Sequence, residues 1–67
     1  MKNRLRVARA EENCTQQQLA ENIGVSRQTI NSIESNKFIP STLLALKLAR
    51  FFNKKVEELF ILEDSDL

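Results

Sequence analysis

The stretch from residue 15 to residue 34 constrains the fold most strongly, because it contains the start and stop signals of two short helices. Thr15 is a good N-cap, and Gln18 is placed to bind the backbone amide of Thr15, so a capping box begins the first helix. Gly24 follows the last apolar residue of that helix and turns the chain through positive φ at the lowest steric cost. The sequence therefore predicts two helices joined by a glycine turn.

The second of these helices has two different faces. Ser26 provides an N-cap hydroxyl, and Ile30 and Ile33 form an apolar face one turn long. A helix this short is not stable alone in water, so it must pack against the rest of the domain. The opposite face then points outward, and it carries Arg27, Gln28, Asn31 and Ser32.

Composition limits the class of protein. The chain has 67 residues, which is one small domain, and it contains one cysteine and no histidine. We therefore expect no disulfide, no metal and no cofactor, and we expect Cys14 to be a small buried apolar residue that closes a corner rather than a reactive thiol. The absence of a secretory signal and of a membrane-spanning apolar run places the protein in the cytoplasm, away from membranes.

An enzyme is not expected, because histidine-based acid–base chemistry is excluded and the single glycine cannot build a phosphate-binding loop. The formal net charge is +1. Residues 1–38 carry six basic and four acidic side chains, whereas residues 39–67 carry four basic and five acidic ones. The first half is therefore mildly basic, which would orient the molecule near a polyanion with the acidic tail facing away; the alternative is an imbalance that arises by chance.

The flanking segments predict three more helices and no sheet. Apolar residues at helical spacing predict a helix over residues 3–12, ended by Asn13 in a left-handed conformation. Pro40 ends a loop, in which Asn36 is a second candidate for positive φ. Ser41 then caps a long apolar helix over residues 42–52 that ends at Asn53, and residues 56–60 add one turn. We assign residues 1–62 to the domain and residues 63–67 to a short acidic polar tail.

The motif and its surroundings resemble the Cro/XRE-type helix-turn-helix family of phage and bacterial transcriptional regulators. The residues that carry the resemblance are Arg9, Gln16, Leu19, Ala20, Ile23, Gly24, Val25, Ile30, Ile33, Glu34, Pro40, Ser41, Phe52, Val56, Leu59 and Phe60. Asn13 and Asn36 stand where that family usually has glycine. The resemblance implies an all-α fold, a compact five-helix lambda-repressor-like DNA-binding domain with the helix-turn-helix at helices 2 and 3.

The same resemblance implies a site on double-stranded DNA. The recognition helix, about Ser26 to Ser35, would lie in the major groove with its first residues against base edges. The expected base contacts are Arg27, Gln28, Asn31 and Ser32. The expected phosphate contacts are Gln16, Ser26, Thr29, Asn36 and Lys37. Arg9 and Glu34 would form a partly buried ion pair that fixes the angle of the recognition helix. The alternative is that these residues are only a solvated helix face and unpaired surface charges.

One domain of this size reads few base pairs, so we expect a homodimer with half-sites about 34 Å apart. Surplus apolar residues are the expected interface, and they are Leu44, Phe51, Phe60, Ile61 and Leu62. The alternative is that they only fill a small core. Two functions remain open: a transcriptional regulator, most simply a repressor of a palindromic operator, and a protein-interaction module such as an antitoxin or adaptor that uses the same fold on a protein partner.

Overall fold

The computed structural model describes residues 1–67 and contains five α-helices and one small sheet. The helices are α1 (Leu5–Glu11), α2 (Gln16–Ile23), α3 (Arg27–Glu34), α4 (Thr42–Phe51) and α5 (Val56–Leu59). The five-helix fold predicted from the sequence is confirmed. None of these helices has the length and apolar character needed to cross a bilayer.

The expectation of no sheet was wrong. Strand β1 (Lys2–Asn3) pairs antiparallel with strand β2 (Phe60–Ile61), with Asn3 opposite Phe60. A further hydrogen bond joins the Arg4 amide to the Leu59 carbonyl over 2.8 Å. This pairing explains two shifted boundaries, because it holds Asn3 outside α1 and takes Phe60 out of α5.

The predicted helix starts are confirmed in detail. Thr15 and Gln18 form the reciprocal capping box of α2. The Ser26 hydroxyl accepts from the Thr29 amide at the start of α3, and the Ser41 hydroxyl accepts from the Leu44 amide at the start of α4. Each cap satisfies a backbone N–H that has no partner within its helix.

The helix ends rely on residues with positive φ. Gly24 has φ +86° after α2, and Asn13, Asn36 and Asn53 have φ values of 52°, 62° and 54°. The residue after each asparagine donates its amide to the carbonyl five residues earlier, so α1, α3 and α4 end in the same way. Asparagine tolerates this backbone region better than other side chains with a Cβ, so the positions where glycine was expected keep the turn geometry.

One hydrophobic core joins all five helices and β2. Ile30 and Ile33 fix the inner face of α3 in this core, while Val25, Cys14 and Leu44 are half-buried beside it. The buried members are Leu5, Ala8, Leu19, Ala20, Ile23, Ile30, Ile33, Leu48, Ala49, Phe52, Leu59 and Phe60.

The last residues follow β2 as one turn of 3-10 helix over Asp64–Asp66. The Met1 amino group lies 3.2 Å from Glu63 Oε1 and 3.0 Å from Asp66 Oδ1. The acidic segment is therefore ion-paired next to β1.

Candidate nucleic-acid interface

Helix α3 turns one face to the core and the other to solvent. Ile30, Ile33 and Glu34 are buried, whereas Arg27, Gln28 and Asn31 are exposed and Ser32 and Thr29 are half-buried. The outer face therefore carries donors and acceptors of hydrogen bonds along two turns of helix. The first two residues of α3, Arg27 and Gln28, are both exposed to solvent.

The N-terminus of α3 is well ordered by its own side chains. The Ser26 hydroxyl lies 3.1 Å from the Thr29 amide nitrogen and 3.0 Å from the Thr29 hydroxyl. The remaining amides of the first turn have no partner inside the helix, and the helix dipole makes this end favourable for an anion. Two residues that the sequence predicted to contact phosphate thus lie together at this end.

The last residue of α3 is bound to α1. Arg9 Nε lies 2.5 Å from Glu34 Oε2, and Arg9 Nη2 lies 3.0 Å from Glu34 Oε1. The Glu34 side chain has no exposed surface and the Arg9 side chain is 15% exposed. Arg9 also donates through Nη1 to the Cys14 carbonyl, over 2.9 Å. One guanidinium therefore connects α1, the α1–α2 turn and the end of α3.

Glu34 is held in the ionised state. Burial acts to raise its pKa, but hydrogen bonds from Arg9 and Gln16, with a longer contact from Arg6, outweigh burial and lower the pKa below its ordinary value. The hydrogen bond to Glu34 likewise raises the pKa of Arg9. The buried carboxylate is thus charged and fully paired, which is the condition under which a buried charge is tolerated.

Gln16 connects the start of α2 to α3. Its side-chain nitrogen Nε2 lies 3.0 Å from Glu34 Oε1 and 3.3 Å from Asn31 Oδ1. The Gln16 side chain is therefore bound within the protein as well as lying at the edge of the exposed face.

The predicted contact residues fall into three neighbouring groups. A groove between α3 and the following loop brings most of them together, and it is lined by Ser26, Gln28, Thr29, Asn31, Ser32, Lys37 and Phe38. Arg27 and Gln16 line a second groove with Arg9 and Cys14, on the α2 side of α3. Asn36 lines a third groove with Asn3 and Ile33.

Asn3 is a residue that the sequence analysis missed. Its side-chain nitrogen Nδ2 donates to the Ile33 carbonyl over 2.9 Å and to Asn36 Oδ1 over 3.0 Å, while its Oδ1 accepts from the Leu5 amide. It therefore ties β1 to the end of α3 and to the loop after it. No local signal marks the two bonds that Nδ2 donates, because Ile33 and Asn36 lie thirty or more positions away in the sequence.

The apolar residues expected at a dimer interface have different surroundings. Phe51, Ile61 and Leu62 are exposed, and Leu44 is half-buried against the core. Phe60 is buried with 7% exposure, so its expected role as an interface side chain is corrected: it is a core residue. Two exposed leucines on the outer face of α4, Leu43 and Leu46, had not been included.

Comparison with known proteins agrees with this geometry. The sequence profile of the helix-turn-helix family matches residues 5–59. A protein of Methanocaldococcus jannaschii named an uncharacterized HTH-type transcriptional regulator is 53% identical over 66 residues, covering 98% of this chain and 100% of the relative.

Two further relatives carry the same description. One from Archaeoglobus fulgidus is 46% identical over 67 residues, covering 100% of this chain and 96% of the relative. The regulator YgzD of Bacillus subtilis is 42% identical over 66 residues, covering 98% of this chain and 100% of the relative. The resemblance drawn from the sequence is confirmed, and the chain belongs to the helix-turn-helix family.

Proposed function

We propose that this protein is a sequence-specific DNA-binding transcriptional regulator that inserts α3 into the major groove. The observation that carries the proposal is the two-sided packing of α3. Ile30, Ile33 and Glu34 fix the helix from behind, and Arg27 and Gln28 are left exposed in its first turn. The names of the relatives, all HTH-type transcriptional regulators, support the same class.

The exposed side chains suit base recognition. Arginine binds guanine O6 and N7 with two hydrogen bonds, and glutamine binds adenine N6 and N7 in the same manner. We assign these contacts to Arg27 and Gln28, and each is worth about 1–3 kcal/mol of discrimination against a wrong base. Asn31 and Ser32, one turn further along, are proposed as the next base contacts.

Phosphate contacts would set the position of the helix without choosing sequence. Lys37 supplies a positive charge in the groove between α3 and the following loop. Ser26 and Thr29 lie in the same groove, at the N-terminus of α3. Asn36 lies in the next groove. Gln16 is the first residue of α2, where its backbone amide has no partner within the helix. These five residues are the proposed contacts to the DNA backbone.

We propose that the protein binds a palindromic operator as a homodimer. The longest dimension of the domain is 33 Å, which is close to the separation of about 34 Å between half-sites one helical turn apart. Exposed Phe51, Ile61 and Leu62, with half-buried Leu44, are the proposed interface. Burial of these side chains against a second copy would remove apolar surface from water.

Repression is the simplest regulatory outcome, because a dimer bound across a promoter excludes other proteins from the same DNA. A second candidate function is a protein-interaction module, and one observation favours it. Leu43 and Leu46 are 66% and 54% exposed and lie one turn apart on α4. Under this second function, replacing both Arg27 and Gln28 by alanine would leave binding of the protein partner intact.

The test begins with selection of bound sites from a random oligonucleotide pool. The selected duplex and a scrambled duplex are then titrated with the protein at several salt concentrations. We expect a palindromic selected site, bound more than about tenfold more tightly than the scrambled duplex, because specific sites exceed non-specific DNA by far larger factors in known regulators. A smaller preference would reject sequence-specific binding.

A further inference from the structure

The side-chain amide of Asn3 has a single allowed orientation, because backbone groups bind both of its ends. Its Oδ1 accepts from the Leu5 amide over 3.2 Å, and its Nδ2 donates to the Ile33 carbonyl over 2.9 Å. A backbone N–H only donates and a carbonyl only accepts, so exchanging the oxygen and the nitrogen would break both bonds. The backbone of Asn3 is itself held in the sheet, opposite Phe60.

This fixed amide sets the orientation of Asn36. Asn3 Nδ2 also donates to Asn36 Oδ1 over 3.0 Å, so both of its hydrogens are used. Because Asn36 turns its oxygen toward Asn3, the nitrogen Nδ2 of Asn36 and its two hydrogens lie on the other side of the amide. No side chain or carbonyl of the protein accepts these two hydrogens, and Asn36 is exposed.

The surroundings of these free hydrogens suit an anion. Asn36 is followed directly by exposed Lys37, which brings a positive charge to the same loop. The nearest acid in the sequence, Glu34, is buried and ion-paired with Arg9. Phosphate oxygens accept hydrogen bonds from neutral side chains such as asparagine at protein–DNA interfaces. An Asn36 amide turned the other way would present its oxygen, which a phosphate repels.

We propose that Asn3 is a positioning residue that holds Asn36 as a hydrogen-bond donor to a DNA phosphate, an inference that rests on the DNA-binding function proposed above. Asn3 has no hydrogen left for DNA and acts through Asn36. The small sheet therefore supports the DNA-contacting loop after α3, because β1 carries the side chain that orients this loop.

The test is a double-mutant cycle on DNA affinity with Asn3→Ser, Asn36→Gly and the double variant. Serine at position 3 can still accept from the Leu5 amide but is too short to reach Asn36. Glycine at position 36 keeps the positive φ of 62° and removes the side chain. Asn22→Ser is the matched control, because the Asn22 side chain donates only to the Gln18 carbonyl within α2. Urea denaturation checks that each variant is folded under the binding conditions.

We expect Asn36→Gly to bind the selected and the scrambled duplex about tenfold more weakly, since a phosphate contact carries no sequence information. Asn3→Ser should weaken binding to both duplexes about threefold or more, because Asn36 must then be ordered on binding. The double variant should bind as Asn36→Gly does, and Asn22→Ser should match the wild type.

Two results would overturn the inference. One is an affinity of Asn3→Ser equal to that of the wild type. The other is an equal loss from Asn3→Ser with and without the Asn36 side chain, because Asn3 would then act on the fold in general. If the wild type prefers no sequence, the proposed function fails, and the cycle on the scrambled duplex still decides the inference.

A measurement on the wild type does not depend on the folding of any variant. The NMR signal of the Asn36 side-chain amide should shift when the scrambled duplex is added. The amide signal of Asn53, an exposed asparagine with a similar φ of 54° after α4, should stay in place. An Asn36 signal that does not move in protein saturated with DNA would also overturn the inference.

Discussion

Two nitrogens of Arg9 bind both carboxylate oxygens of Glu34, so the last residue of α3 is fixed to α1. The geometry is the two-bond arrangement that gives arginine–carboxylate pairs their directional strength. Because α3 is only two turns long, a fixed end sets the direction of the whole helix.

The first prediction concerns this pair. Arg9→Met leaves a buried carboxylate without its main partner, and we expect a loss of about 3 kcal/mol in the free energy of unfolding. The double variant Arg9→Met/Glu34→Leu removes the buried charge as well and should be more stable than Arg9→Met alone. Urea denaturation measures both, with exposed Arg50→Met as the control. A double variant less stable than Arg9→Met would contradict this account of the pair.

The second prediction is a dependence on pH. The pKa of Glu34 is lower in the folded protein than in the unfolded chain, where it is about 4.3, so the unfolded state binds more protons between the two values. Stability from Glu34 is therefore complete above the unfolded pKa and is lost as pH falls through the folded pKa. Glu34→Gln should flatten the acid side of a plot of unfolding free energy against pH.

Glu21→Gln is the matched control for that experiment, because Glu21 is exposed and forms no ion pair. Its plot of unfolding free energy against pH should match that of the wild type. If the unfolding free energy of Glu34→Gln falls with decreasing pH as steeply as that of the wild type, other carboxylates account for the pH dependence.

The third prediction concerns the turn between α2 and α3. Gly24 has φ +86°, and a Cβ at this position would meet no atom within 4 Å. The cost of Gly24→Ala is therefore a backbone cost of roughly 1–2 kcal/mol, and Gly24→Asn should cost less because asparagine tolerates this region. Chemical denaturation of the two variants measures the difference. Equal losses would show that side-chain packing, rather than φ, decides this position.

The fourth prediction concerns the proposed dimer. Leu62 is 68% exposed in the single chain, so Leu62→Glu should leave the fold intact, convert the dimer to a monomer in sedimentation experiments, and weaken binding to a palindromic duplex. Leu43→Glu, at 66% exposure on α4, is the matched control and should remain dimeric. Dissociation by Leu43→Glu but not by Leu62→Glu would move the interface to α4.

Local chemistry accounts for the parts of the fold that the sequence predicted. The N-cap side chains of Thr15, Ser26 and Ser41 each bind an amide three residues further along the chain. Gly24 and Asn13 end helices through their own positive φ angles. In each case the residue that predicts the feature is the residue that forms it. Helix ends were therefore predicted to within one or two residues, and the start of α1 and the end of α5 were shifted by the pairing of β1 with β2.

The parts that were missed depend on distant partners. Strand β1 is two residues long and exists only because Phe60 and Ile61 lie beside it. The amide directions of Asn3 and Gln16 are likewise set by residues of α3 and its loop. The sequence predicted a long apolar helix with surplus apolar residues, but not that Leu43 and Leu46 would be among the residues left outside the core.

The most direct test of base reading by α3 compares Arg27→Ala with Lys37→Ala on the selected and scrambled duplexes at several salt concentrations. We expect Arg27→Ala to lose about 1–3 kcal/mol of preference for the selected duplex, and Lys37→Ala to weaken binding to both duplexes equally and reduce the salt slope by about one. If Arg27→Ala keeps the wild-type ratio of the two affinities, α3 does not read bases through Arg27, and the central claim is wrong.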